Sequence, residues 1–293
     1  MSIPTTGSPL DAEQPDQSDE RYTFDRFARQ PFYEAVNRSL VELASIESRP
    51  RVLDLACGTG AVTRLIVERL RDAREAVVLA IDASREALSV ARRNLGGLGT
   101  TTVEFVQAHA EELTQTVRRT VGSVDAVFFC NAIHMVDDKE EVVADIGEVL
   151  SPDGVFAFNT TFFEGSLPQE TLPFYRRWMM HAIRDLRSRH GVMPTRDKVA
   201  ARRQLSVDEY AALLEGAGLE ITEHKLESVD ITLEGWLGIS EYREFAKGAL
   251  PGIPLRDAVE TLQRTVAEVF DELEIDATPR LWLQVAATPA HAT

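Results

Sequence analysis

A doubly wound α/β sheet is the fold class that this sequence predicts, and three observations carry it. Apolar runs and helical patterns alternate strictly from residue 51 to residue 162, the turns between them are short, and the runs are near-continuously apolar. Strands covered by helices on both faces have that composition, whereas strands with one wet face alternate in polarity. A parallel sheet sandwiched between helices follows.

The elements can be justified in order. Residues 1–20 carry Pro4, Pro9, Pro15 and five acids between Asp11 and Glu20 but no apolar period, and they are predicted to form a disordered acidic tail, with ordered chain from about Tyr22. Pro31 to Val41 reads as a helix with proline in its first turn. Strands are then expected at about 51–56, 76–82, 102–108, 124–131 and 154–162, with helices at 60–72, 85–97, 110–118 and 138–150. Asp138 and Glu141 can form a capping box for the last of these helices, whose apolar stripe is Val142, Val143, Ile146, Val149 and Leu150. Ser151-Pro152-Asp153-Gly154 is the expected turn into the fifth strand. Beyond Phe163, residues 165–203 read as helical and Arg-rich, Ser206–Ala217 as a helix ended by Gly218, and 219–231 as a strand. A second helical insertion covers about 233–276, and Leu281–Ala287 makes a final strand.

Composition bounds the function classes. With 293 residues and 44% hydrophobic content the chain can bury a sizeable core. No apolar run approaches the roughly 20 residues that span a bilayer, and the N-terminus lacks the basic-then-apolar order of a signal peptide, so a cytoplasmic protein without a membrane partner is expected. A formal charge of −16 disfavours a nucleic-acid partner. Cys57 and Cys130 sit at apolar strand ends and are expected as buried thiols, with neither a disulfide nor a metal site. A small molecule is the expected partner, and the oligomeric state is not legible.

The most informative stretch is Val52-Leu53-Asp54-Leu55-Ala56-Cys57-Gly58-Thr59-Gly60, an apolar strand that runs into a glycine turn and opens a helix. Such a turn exposes bare backbone N–H groups at a helix N-terminus and suits a nucleoside-bearing cofactor. The dinucleotide fingerprint G-x-G-x-x-G would need Gly or Ala where this chain has Thr63, which weakens a nicotinamide or flavin reading. D-L-A-C-G-T-G resembles motif I of the class I S-adenosylmethionine (SAM) dependent methyltransferases of the small-molecule type, with a UbiE-like domain, in which glycine often replaces Ala56. The resemblance covers roughly residues 50–163. It implies a Rossmann-like sheet of seven strands with an antiparallel last strand, helical lid insertions, SAM as cofactor and S-adenosylhomocysteine (SAH) as product. The implied organisation is a core over 21–163, a lid insertion at 164–205, core continuation at 206–232, a second insertion at 233–278, and a last strand with tail at 279–293.

Ligands of open α/β sheets sit beyond the carboxyl ends of the strands. By resemblance, Asp54 and the turn Ala56, Cys57, Gly58 and Gly60 hold the amino-acid part of SAM. Asp82, followed by Ala83, ends the second strand 24 positions after Gly58, where a carboxylate can accept both ribose hydroxyls, or can cap the helix from Ser84. Gln107-Ala108-His109-Ala110-Glu111 resembles the adenine-touching segment of the third strand, with His109 where Asp is frequent. Asn131-Ala132-Ile133-His134 resembles the motif beside the reactive methyl. His134 is the candidate general base, an unperturbed imidazole titrating near neutral pH; packing under the lid is its other reading.

The first insertion sets Phe174, Tyr175, Trp178 and Met179 beside Arg176, Arg177, Arg184 and Arg187, and the second adds Trp236, Tyr242 and Phe245. Arg177, or Arg176, with Trp178 and Tyr242 is the candidate acceptor pocket, against the reading of a solvated helix with a core stripe. The expectation is methyl transfer to a small apolar or anionic metabolite, with O-methylation slightly favoured over C- or N-methylation. The alternative is a SAM-binding regulator or scaffold without catalysis.

Overall fold

A computed structural model describes residues 22–73, 75–96, 101–195 and 203–290. The expected acidic tail, and Arg196, Lys198 and Arg202 of the Arg-rich stretch, lie outside the described residues. A short helix α1 (Asp25–Ala28) leads into α2 (Pro31–Leu43), which has proline at its start as the sequence implies.

Five β-α units follow. Strands β1 (Arg51–Leu55), β2 (Val77–Asp82), β3 (Thr102–Gln107), β4 (Val124–Cys130) and β5 (Leu150–Thr160) alternate with α3 (Ala61–Arg69), α4 (Arg85–Asn94), α5 (Leu113–Thr120) and α6 (Lys139–Val149). After β5 come α7 (Leu172–Arg189), α8 (Val207–Gly216), β6 (Leu219–Thr232), α9 (Leu233–Glu241), α10 (Arg243–Ala249), α11 (Leu255–Leu273) and β7 (Ala277–Pro289). The sheet has seven strands in the order β3-β2-β1-β4-β5-β7-β6. β1 to β5 pair in parallel, and β7 runs antiparallel to both β5 and β6. This is the doubly wound, mostly parallel sheet with an antiparallel last strand that the sequence implies.

Apolar strands with helices on both sides give two separate cores under the sheet. Leu53, Leu55, Leu79, Ile81, Val127, Phe129, Phe156 and Phe158 point to one side, and Val52, Val78, Ala126, Phe128, Val155 and Ala157 to the other. The two-residue period of the strand assigns them. A third core lies among α7, α9, α10 and α11 and is rich in aromatic side chains.

Four expectations need correction. Among the described residues of the run 165–203, α7 is the one helix; Pro168 and Gly191 lie outside it on either side, and proline within a helix interior costs about 3 kcal/mol. The run 233–276 is three helices, because Tyr242 takes an extended conformation (φ −71°, ψ 123°) and Pro251 and Pro254 separate the last two. The segment 151–154 belongs to β5, whose pairing with β4 shifts register there. The cap of α6 is half of the expected box: the Asp138 carboxylate accepts from the Glu141 N–H at 2.9 Å.

Candidate functional site

A cavity of about 1000 Å³ opens at the carboxyl ends of β1, β2, β3 and β4 and reaches under α9 and α10. Ligand pockets typically enclose roughly 300–1,000 Å³, so it can take a nucleoside cofactor and a second small molecule together. Of the residues expected to hold a cofactor, Asp54, Ala56, Cys57, Gly58, Asp82, Ala83, His109, Ala110 and Asn131 all line it, as do His134 and Tyr242.

The glycine turn has a steric reason. Gly60 precedes α3 with φ 85°, and a Cβ there would come within 2.9 Å of a Leu95 methyl carbon and 3.2 Å of the Ala91 methyl. Gly60 therefore shapes the turn and lets α3 and α4 approach, but it does not itself line the cavity, which corrects its assignment as a contact residue. Gly58 has φ 55° with nothing around its missing Cβ, so its backbone lies bare toward the cavity. Ala56 (φ 56°) and Asn131 (φ 51°) are left-handed residues with side chains, and both line the cavity. Each such residue costs about 1–2 kcal/mol, and strain of that kind gathers where the backbone must present itself to a ligand.

Asp54 is 1% exposed, and its carboxylate accepts a hydrogen bond of 2.6 Å from the Thr63 hydroxyl. Burial pushes its pKa up to about 7, against the Thr63 hydrogen bond, with the nearby Asp82 charge adding to the rise. Asp82 accepts at 2.8 Å from the N–H of Gly58 and at 2.8 Å from the N–H of Ser84, while the Ser84 side chain caps α4. Its pKa is also raised by burial, opposed by those two N–H donors. The carboxylate thus ties the two turns together and still borders the cavity, while the cap of α4 is Ser84 and not Asp82. Glu86 and Glu111 also line this end. Four carboxyl groups make it a receptor for positive charge.

The neutral state of Asp54 gives a pH prediction. A cationic ligand beside it favours the carboxylate, so binding below about pH 7 must release its proton, and affinity should rise with pH until about 7 and level off above. Calorimetry of SAH binding at several pH values should show that rise in the wild type and not in Asp54→Asn. For folding the sign is opposite: the raised carboxyl pKa withdraws stability as pH climbs from the unfolded value of about 4 to about 7.

At the end of β3, the His109 N–H donates to Glu112 at 2.9 Å in a reciprocal cap of the turn Ala110–Glu112. At the end of β4, Asn131 donates its N–H to the Asn159 carbonyl at 2.8 Å, and its side-chain oxygen accepts from the Thr161 N–H at 3.2 Å. The next turn, Ile133–Met135, places the His134 ring against Phe162 (centroids 4.8 Å apart) with Nδ1 3.4 Å from the Thr160 hydroxyl. Tyr242 reaches across from the α9–α10 junction, its hydroxyl 3.7 Å from the Met135 sulfur.

The structure does not bring Trp178 or Arg177 to the cavity. Trp178 is fully buried, its indole N–H donates to the Leu262 carbonyl at 3.1 Å, and it packs on Phe174, Trp236 and Phe245. Arg177 pairs with Glu272 on the surface at 2.8 Å, and Arg176 is exposed. The stripe at helical spacing is core, since α7 turns its apolar face onto α11 and not toward the sheet end. In its place the wall contains Tyr33, Phe162, Tyr175, Trp236, Phe245 and Arg280, of which Tyr33, Phe162 and Arg280 were not anticipated. The signals in the sequence were a Thr160-Thr161 pair ending an apolar strand and a single arginine opening the last one. Cys57 and Cys130 are buried free thiols, and burial pushes both pKa values up.

A bare glycine turn after the first strand, a carboxylate closing the second and a cavity across four strand ends define a nucleoside-binding domain of the doubly wound α/β class. Residues 52–154 match the family described as methyltransferase domain. The ubiquinone/menaquinone biosynthesis C-methyltransferase UbiE of Pseudomonas savastanoi pv. phaseolicola is 35% identical over 118 residues, 40% of this chain and 44% of that protein. Relatives of this kind are thus matched over less than half of their own length. Trans-aconitate 2-methyltransferase of Acidovorax sp. is 27% identical over 274 residues, 89% of this chain and 96% of that protein. Among solved structures, BH2331 of Bacillus halodurans C-125 is similar in fold, with a TM-score of 0.55 and 18% identity over 88% of this chain and all of that one. Over residues 52–154 the chain is thus similar to the methyltransferase domain family.

Proposed function

We propose that this protein transfers the methyl group of SAM to a small acceptor molecule, apolar or anionic, with oxygen somewhat favoured as the methylated atom. The observation that carries the reading is the division of one cavity into two unlike halves. Asp54, Asp82, Glu86 and Glu111 gather at the ends of β1 to β3, while Phe162, Tyr175, Trp236 and Tyr242 gather under α9 and α10. SAM is a cation at its sulfonium and its amino group, which suits the acidic half, and its methyl would be presented toward the aromatic half.

The residues present fit that cofactor. Asp54 and the bare backbone at Gly58 would hold its amino-acid end, Asp82 its ribose, and His109 with Ala110 its adenine ring. SAM supplies an already activated methyl group, so the protein's task is alignment, which can contribute roughly 7–11 kcal/mol. His134 stands beside the junction of the two halves and would take the proton of a hydroxyl acceptor. The name of the relative matched along nearly its whole length, trans-aconitate 2-methyltransferase, supports an anionic acceptor as a class.

Incubation of the protein with a metabolite extract and SAM labelled in its methyl group tests the reading. Label should appear in a small organic product together with SAH. Label found only in protein or nucleic acid, or SAH binding without turnover of any extract, would overturn it.

One variant reports on the cofactor half alone. Asp82→Ala should weaken SAH binding by about 1.5–3 kcal/mol, the range for hydrogen bonds to a charged group. An unchanged dissociation constant in calorimetry would leave Asp82 as a tie between Gly58 and Ser84 and nothing more.

A further inference from the structure

We infer that Arg280 is the anion receptor of the acceptor half of the cavity, and that the acceptor carries a carboxylate, separate from the methylated atom, on a flat apolar body. The inference rests on the proposed function of this cavity and names the chemistry of its second ligand.

Arg280 lies in β7 beside the carboxyl end of β5, and it lines the cavity. Its Nε donates to the Thr161 hydroxyl at 2.7 Å and its Nη2 to the Thr161 carbonyl at 2.9 Å. The Trp236 ring lies 5.9 Å from the guanidinium carbon. These are its contacts among the described residues, and no carboxylate is one of them. An arginine has five N–H donors, so both donors of Nη1 are left without a protein acceptor there. Many other arginines hold carboxylates, among them Arg26, Arg38, Arg51, Arg64, Arg177, Arg256 and Arg264, whereas the surface Arg85, Arg92 and Arg93 bond amide, carbonyl and hydroxyl oxygens.

A half-buried cation without a counter-ion is costly, and its environment shows the cost. Burial pulls the Arg280 pKa down to about 10, only partly offset by the nearby Tyr175 hydroxyl. A chain with −16 formal charge has no shortage of acids to pair it with. The arrangement makes sense when the missing partner is a ligand, because a guanidinium fork offers two parallel donors to a carboxylate. One such fork suits a single carboxylate better than a dianion.

The two consecutive threonines at the end of β5 explain how the groups are set. Thr160 holds the His134 ring and Thr161 holds Arg280. Thr160 ends β5 and Thr161 follows it directly, so the candidate base and the cation both border the space beyond that strand. Asn131 ties Thr161 to the turn beside the cofactor half. Tyr175 and Trp236 border the same volume and offer aromatic faces to a flat ligand.

The test uses benzoate and benzamide as probes, titrated into the full chain with and without SAH, with tryptophan fluorescence as the readout, since Trp236 lies beside Arg280. Benzoate should bind saturably, and benzamide about ten to a hundred times more weakly. In Arg280→Gln that preference should collapse to near unity, while Arg280→Lys, which keeps the charge but lacks the fork, should keep part of it. SAH affinity should change by less than about twofold, because the variant lies in the other half. Arg280→Lys guards against a fold defect in the neutral variant, and far-ultraviolet circular dichroism checks both. Equal binding of the two probes by the wild type, no saturable binding of benzoate, or a preference for benzoate that survives undiminished in Arg280→Gln would each overturn the assignment. Failure of SAH to bind while the benzoate preference holds would instead sink the methyltransferase reading and leave Arg280 as a carboxylate receptor.

Discussion

His134→Ala is expected to slow methyl transfer to a hydroxyl acceptor by about 10²- to 10⁴-fold in a single turnover, the range for loss of a positioned general base. The turn Ile133–Met135 places the ring directly after β4, Phe162 stacks on one face, and Thr160 meets Nδ1. The Thr160 hydroxyl already accepts the Phe162 N–H at 3.0 Å, and its second lone pair can accept Nδ1–H. That tautomer leaves Nε2 as the basic nitrogen. Thr160 and Phe162 thus fix the ring's orientation as well as its position. The wild-type rate should fall on the acidic side of its pH profile, and the alanine variant should lose that limb. A retained single-turnover rate with an altered acceptor affinity would make His134 a positioning residue.

Trp178→Ala is expected to cost about 3–5 kcal/mol of folding stability, the usual range for emptying a fully buried aromatic site. The indole fills the space between α7 and α11, meeting Phe174, Tyr175, Trp236 and Phe245, and its N–H satisfies the Leu262 carbonyl. Its loss leaves a cavity, while the Leu262 carbonyl keeps its place in α11 and the Thr265 hydroxyl at 3.5 Å. The melting temperature should drop by roughly 6–20 °C, at about 2–4 °C per kcal/mol for a protein somewhat smaller than this one. SAH affinity, measured below that transition, should stay within a few-fold of wild type. A small loss of stability with a large loss of acceptor affinity would return Trp178 to the pocket wall.

The contrast between these two residues shows what the sequence made legible. His134 follows a strand whose end is marked by local pattern, and its place at the site could be read from order along the chain. The same holds for Asp54, Asp82, Ala110 and Asn131, since each closes or follows a strand in an alternating series. Trp178 sits on a helix stripe whose spacing is identical for a core face and a pocket face, and only the packing of α7 on α11 decides between them. Arg280 was illegible for another reason. It reaches Thr161, 119 positions away, through the antiparallel pairing of β7 with β5, and no local pattern reports that register. The division of 233–276 into three helices was hidden by residues that carry helical periodicity on either side of an extended Tyr242.

The most direct test of the central claim is calorimetric and thermal titration of the purified chain with SAH, NAD and FAD. The cavity of Asp54, Gly58 and Asp82 predicts one SAH per chain and, at about 100 times the dissociation constant, stabilisation by about 2.7 kcal/mol, with NAD and FAD producing no shift. Stabilisation by NAD or FAD with none by SAH would contradict it.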